Sequence, residues 1–358
     1  MTYSRAAETS AARGILLSRR VSASSMLWLA LIVALALTFV VCLGVGRVPV
    51  APLTVPAILL EQIAGSSSPA HQIEATVIAT IRLPRALLAM LAGAGLAVAG
   101  AALQGSLRNP LVGPQNIGVL SGAGFGGTLA LLLFPHPLGV IAAGFVMGLA
   151  AMLLVLWAAR AQRRASILML VLAGIVLSAF FAALTTMLQY VADPERQLPS
   201  LVFWLMGSLA AANYDKLALV SAPIAAGSLI LGLMSFRLNV LSSGDEEAQA
   251  LGLNVERTRL VILLAVAIVC AAVVAVGGLI AWVGLVVPHL GRMIVGPNHR
   301  VLLPASALLG AIFLLAIDTL CRSATAAEIP LGAATALIGA PVFIYLLRRT
   351  YARGWHAD

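Results

Sequence analysis

The stretch RLPRALLAMLAGAGLAVAGAALQGSLRNPLVGPQNIGVLSGAGFGG, residues 82–127, decides how the chain is read. Arg82 and Arg85 bracket Pro84, and from Ala86 to Leu107 no formal charge appears until Arg108 closes the run. At 1.5 Å per residue such a run can cross the roughly 30 Å hydrocarbon layer of a bilayer. Within it Gly93, Ala97, Ala101 and Gly105 recur every fourth residue. One helix face is therefore nearly bare backbone, open to close approach by other helices. This predicts a central helix rather than a lipid-facing one. Asn109-Pro110 and Gly113-Pro114 then force a turn before the next apolar run.

The rest of the chain has the composition this stretch implies. Hydrophobic residues make up 61%, charged residues 10%, and mean hydropathy is +1.04. That is more apolar surface than a soluble fold of this length buries, so the chain reads as an integral membrane protein. The net charge of +9 sits in short loops beside apolar runs, where basic residues set orientation and do not form a nucleic-acid surface. Cys42, Cys270 and Cys321 all lie inside apolar runs, without disulfide or metal spacing, and read as packing residues. The first apolar run, 26–43, exceeds a signal-peptide core and no small-x-small cleavage site follows it.

Outward from residues 82–127, apolar runs at 26–43, 86–107, 117–134, 138–159, 167–188, 217–234, 260–276, 279–287, 301–320 and 329–347 predict ten spans. The pieces at 55–63 and 198–209 are too short to cross, and the first is expected at the outer surface. Pro288-His289 and residues 297–300 read as one loop. The expected fold class is an all-α integral membrane protein of ten transmembrane helices, with 26–348 as a single domain between polar tails at 1–25 and 349–358. An even count puts both termini on one side. With that side cytoplasmic, sixteen basic residues fall inside and only Arg47, Arg82, Arg85, Arg196, Lys216 and Arg322 outside, which supports N-in and C-in.

Chemistry is sparse. Lys216 is the only lysine, so no Walker-type nucleotide loop exists in this chain. Asp318 lies near a span end four residues before Arg322, where the two are expected to pair, and no midplane proton relay is visible. His71, His136, His289, His299 and His356 fall in loops or at span ends without metal spacing, so they read as surface histidines and neither a catalytic nor a metal site is expected. The insert at 242–259, SSGDEEAQALGLNVERTR, differs from the other inner loops. Ser243 and Glu246 fit a capping box, Asp245, Glu246 and Glu247 suit a positive helix end, Gly252 is a stop, and Asn254 can cap a second turn running to Arg257.

Several motifs together resemble the permease subunits of type II ABC importers for iron-siderophores, haem and cobalamin. They are RLPR at 82–85, the LAGAGLAVAGAALQG helix, RNPL at 108–111, FWLMGSL at 203–209, EAQALGLN at 247–254, GLVVPHLGR at 284–292, HRVLLP at 299–304 and the closing IPLGAATALIGAPVFIYLLRR. The resemblance covers nearly the whole chain after residue 26. It implies a homodimer or a pair of related permeases in the prokaryotic cytoplasmic (inner) membrane, two ATPase subunits carrying ATP and Mg, and a periplasmic or lipid-anchored substrate-binding protein. No cofactor is expected on this chain.

The same resemblance assigns residues. Asp245, Glu246, Glu247, Ala248, Ala250, Leu251, Gly252, Leu253 and Arg257 would form the coupling helices that seat in the ATPase. Asn109 and Leu111 would line a cytoplasmic gate, with Ser166 and Ile167 as the opposite lip. Ser166-Ile167 stands where the cobalamin permease has a Ser-Thr pair, which argues against cobalamin as cargo. Arg82, Arg85 and Arg322 lie at the outer ends of their spans, and in the family matching arginines meet glutamates on the two lobes of the binding protein. The leading cargo on this reading is an iron-siderophore, with haem, cobalamin and molybdate as alternatives. A rival class is an ion-coupled secondary carrier that needs no ATPase, and a second is a structural or signalling membrane subunit.

Overall fold

A computed structural model describes residues 25–46, 48–64, 72–159, 167–325 and 327–351. Among them every regular element is helical. In chain order these are α1 (Ser25–Gly44), α2 (Val55–Ile63), α3 (Gln72–Ser106), α4 (Val119–Leu133), α5 (Pro137–Ala159), α6 (Ile167–Val191) and α7 (Leu198–Met206). There follow α8 (Tyr214–Leu233), α9 (Ser235–Ser243), α10 (Asp245–Ala250), α11 (Val255–Gly277), α12 (Val283–Val295), α13 (His299–Ala324) and α14 (Leu331–Tyr351). Seven of these, α1, α3, α5, α6, α8, α11 and α13, are long and apolar enough to cross a membrane, while α4, α12 and α14 are shorter apolar helices.

The small-residue stripe decides the centre of the bundle. In α3, 78% of the most apolar window is buried, and in α11 72%, whereas the windows of α1 and α6 are only 17% buried. Along the stripe α3 meets α13. A Cβ on Gly93 would lie 2.2 Å from the Gly310 carbonyl oxygen, and one on Gly310 would lie 2.6 Å from the Ala97 Cβ. A second face of α3 meets α12, where a Cβ on Gly100 would lie 1.8 Å from the Gly284 carbonyl oxygen. No side chain fits at either contact, so backbone touches backbone and dispersion and packing hold the helices together.

That second contact explains where the sequence reading fails. Pro288-His289 is not a loop: both residues lie inside α12 and are buried. Pro288 has no N–H to give the carbonyl of Gly284, four residues back, and that carbonyl packs against Gly100 instead. Residues 279–282, expected to begin a span, are non-helical, and Trp282 at φ 69° marks the turn into α12. The break at Gly277-Gly278 is real, with Gly278 at φ 67°. It meets the end of α7, where the Ser208 N–H donates to the Gly277 carbonyl at 2.9 Å and the Leu331 N–H to the Gly207 carbonyl at 2.9 Å.

Helix α3 also begins earlier than expected. It runs outward past both arginines to Gln72, with a π-helical segment at Val77–Arg82 in which the Leu83 N–H reaches the Ile78 carbonyl. Arg82 and Arg85 are therefore embedded in a continuous helix and do not mark its end. The short α2 matches the apolar piece at 55–63.

Candidate functional site

The two ends of the bundle carry the polar groups. At the end away from the insert, Arg85 is 8% exposed and its guanidinium is filled by two carboxylates. Nε donates to Asp318 Oδ2 at 2.9 Å and Nη2 to Asp318 Oδ1 at 2.9 Å, while Nη1 and Nη2 hold Glu328 Oε1 and Oε2 at 3.0 and 2.9 Å. Asp318 thus pairs with Arg85 on α3, correcting the expected pairing with Arg322. The register of α3 against α13 is the cause: the helices run antiparallel, so two turns outward from Gly93 match two turns outward from Gly310.

Arg82 and Arg322 take a different task. Arg82 Nη1 donates to the carbonyls of Leu43 at 2.6 Å and Gly44 at 2.9 Å, and Nη2 to that of Val48. Arg322 Nη2 donates to the carbonyl of Cys42. Two cations thus cap the orphan carbonyls and negative dipole end of α1. Gly46 lies between them, and a Cβ there would be 2.5 Å from Arg82 Nη2 and 3.0 Å from Arg322 Nη1. Of the three arginines expected at the docking surface, Arg82 and Arg85 are buried and Arg322 is half-buried.

At the other end, the insert folds as a short capped helix. Gly244, at φ 136°, is the N-cap of α10, so Ser243 belongs to the end of α9 and makes no capping box. Asp245, Glu246 and Glu247 occupy the first turn, Gly252 stops the helix at φ 81°, and the Asn254 side chain accepts from the Arg257 N–H at 3.0 Å. Asn254 caps the long α11 and not a second short turn. Ala248 is buried and Leu253 half-buried, while Glu246, Glu247, Ala250, Leu251, Gly252 and Arg257 are exposed. Leu251 is 73% exposed, an apolar side chain with nothing of its own chain over it.

Asp245 ties the insert inward. Its Oδ1 accepts from Arg259 Nη2 at 2.8 Å and lies 3.8 Å from Nη2 of Arg108, the residue preceding Asn109. Two further polar clusters join the helices. Arg292 donates to Gln104 Oε1, and Gln104 Nε2 to the Leu285 carbonyl at 3.3 Å. Asn239 Oδ1, on α9, accepts from the His299 N–H at 2.8 Å and lies 2.9 Å from His299 Nδ1, which assigns the proton to Nδ1. The His299 ring in turn packs on Gly105, where a Cβ would lie 2.2 Å from Nε2. His289 and His299 are thus core residues, not the surface histidines expected. Among the described residues no group of three His, Cys, Asp or Glu could hold a metal.

The model of the FecCD transport family matches residues 31–349. The chain belongs to the FecCD transport family. Molybdate import system permease protein MolB of Haemophilus influenzae is 44% identical over 321 residues, covering 88% of this chain and 94% of that protein. The Fe(3+)-citrate import system permease protein YfmE of Bacillus subtilis is 37% identical over 324 residues, 89% and 94% of the two chains. Among solved structures, an inward-facing putative metal-chelate type ABC transporter matches with TM-score 0.80 and 42% identity, covering 91% of this chain and 99% of that one. The FecCD chain is therefore a permease of the ABC-importer type and a multi-pass protein of the bacterial cytoplasmic membrane.

In this FecCD permease Asn109 and Leu111, the residues expected at the gate, sit just beyond the C-terminal end of α3. Arg108 takes φ 48°, and the Asn109 side chain accepts from the Leu111 N–H at 2.9 Å, closing an Asx turn on itself. Leu111 is 51% exposed. Ser166 lies outside the described residues, and Ile167 opens α6, half-buried. Sequence reasoning missed Asn116, whose Oδ1 accepts from the Gly113 N–H at 2.9 Å and whose carbonyl meets α6 so closely that a Cβ on Gly174 would lie 2.3 Å away. It also missed Gln104, Asn239, Arg292 and His299. For His299, at the start of α13, the glycine it faces at position 105 was the available signal.

Proposed function

We propose that this chain is the membrane-spanning subunit of an ATP-driven importer whose cargo is molybdate or a similar compact metal oxyanion. The observation that carries the cargo is the 44% identity to a molybdate permease across 94% of that protein. Relatives of comparable identity are named for haemin in Yersinia pestis and for ferric citrate, so the iron-siderophore favoured by the motifs is not singled out. A ferric chelate is the second reading, supported by the metal-chelate type structure at 42% identity.

The mechanism is alternating access between outward-open and inward-open states, across ten helices with both termini inside. A second permease, identical or related, covers the exposed apolar side of α6, and the cargo passes between the two. The ATPase, which holds ATP and Mg, seats on residues 245–257, with Leu251 filling its groove. Motion there reaches Asn109 and Leu111 through Asp245 and Arg108. The other lip of this gate is Ser166 and Ile167. A loaded binding protein docks at the opposite end, around Arg82, Arg85 and Arg322, where three guanidiniums face only two carboxylates. Membership of the FecCD family weighs against an ion-coupled carrier.

Uptake into proteoliposomes holding the permease, its ATPase and the loaded binding protein tests the cargo. Labelled molybdate should accumulate and be competed by tungstate, its near isostere. Accumulation of ferric citrate with none of molybdate would replace the first reading with the second.

A further inference from the structure

The two carboxylates on Arg85 are not equivalent. Asp318 is on α13, with a side chain 2% exposed, and the α3–α13 contact fixes it in place. Glu328 is 25% exposed and sits in the non-helical segment between α13 and α14, three residues before α14 begins at Leu331. Its two oxygens take Nη1 and Nη2, the outward edge of the guanidinium fork. Such a bidentate grip is the one an incoming carboxylate would make.

We infer that Glu328 is a built-in stand-in for a carboxylate of the docking protein, and that docking exchanges one for the other. This rests on the reading that the binding protein docks at the outer arginines. In the resting chain the fork is filled, so the cluster is quiet and the start of α14 is tied to α3. An acidic side chain arriving from outside competes for Nη1 and Nη2 while Asp318 keeps Nε. Arg82 and Arg322, held by backbone carbonyls and not by carboxylates, supply the uncompensated positive charge that draws it in. Release of Glu328 loosens the 327–330 segment from α3, while the Ile329 N–H on the Cys321 carbonyl and the Leu331 N–H on the Gly207 carbonyl still hold the start of α14. Docking is thereby converted into a loosening of the connection between α13 and α14.

The exchange predicts that removing the internal competitor strengthens docking. A latch closed in about nine molecules of ten weakens apparent affinity about ten-fold, and opening it returns that factor. The permease–ATPase complex in nanodiscs, titrated with loaded binding protein, should therefore bind about ten-fold tighter in Glu328→Gln, with Glu328→Asp in between. In the wild type, binding should speed amide hydrogen exchange over residues 327–333. Unchanged or weaker binding by Glu328→Gln, while Arg322→Glu still abolishes docking, overturns the exchange and leaves the docking site standing. If Arg322→Glu and Arg82→Glu both bind normally, the docking site itself is lost. Should Glu328→Gln fail to fold, the wild-type exchange measurement decides alone, and no change at 327–333 overturns the inference.

Discussion

Helices α3 and α6 are both long and strongly apolar, with hydropathies of 2.1 and 2.8 over their most apolar windows, yet the less hydrophobic one is the core. Between these two helices burial follows side-chain size. Helix α3 presents Gly93, Ala97, Gly100 and Gly105 to its neighbours, so backbones and one histidine ring come into contact. Helix α6 presents Leu168, Leu172, Ile175, Val176, Phe180 and Met187, all exposed, and buries only Leu170, Gly174 and Phe181. In a bilayer hydrophobicity alone draws no helix inward, because lipid is as apolar as leucine. Small residues and polar contacts choose the centre, and bulky apolar faces are left for lipid or for another subunit.

Substitutions sharpen that contrast, the first set beside a control on α6 and the others in descending order of effect. Gly100→Val puts atoms where the Gly284 carbonyl already stands, 1.8 Å from an added Cβ, and should yield no monodisperse protein on size exclusion. Ala179→Val on the exposed side of α6 should leave yield unchanged and shift stability by less than about 0.5 kcal/mol. Equal loss in both would break the comparison.

Arg85→Ala strands the buried Asp318 carboxylate and should cost about 3–5 kcal/mol, read as a lower melting temperature in detergent. Adding Asp318→Leu should recover much of it, since removing both charges leaves nothing uncompensated. Ala97→Leu overfills the stripe against Gly310 and should cost about 1–3 kcal/mol, again as lowered melting. Wild-type melting there would mean that α3 and α13 can part.

Most helices were legible because apolar runs bounded by arginines, prolines and glycines are strong signals. The α2 piece at 55–63 and the half-length α7 were read by length alone. The arginines were misread because sequence offers only local rules. Asp318 and Arg322 are four residues apart, so a helical pair looked natural, but α3 brings Arg85 to Asp318 across 233 residues. The Gly93 and Gly310 contact would have implied that register, had the two small-residue faces been set antiparallel. His299 escaped for a related reason: its environment is made by Gly105 and Asn239, neither of them near in sequence. Ser243 seemed a cap because helix α9, which absorbs it, has too weak an apolar pattern to foresee.

Leu251→Asp should have the smallest effect on the chain itself, because that side chain is 73% exposed and touches no core. Its consequence belongs to the assembly, and this makes it the most direct test of the account. Proteoliposomes containing the permease, its ATPase and the loaded binding protein should take up labelled cargo only when ATP is supplied on the insert side. Leu251→Asp should fold and melt as the wild type does while losing both the co-purifying ATPase and the uptake. Uptake that runs on a proton or sodium gradient without ATP, and survives Leu251→Asp, would contradict it.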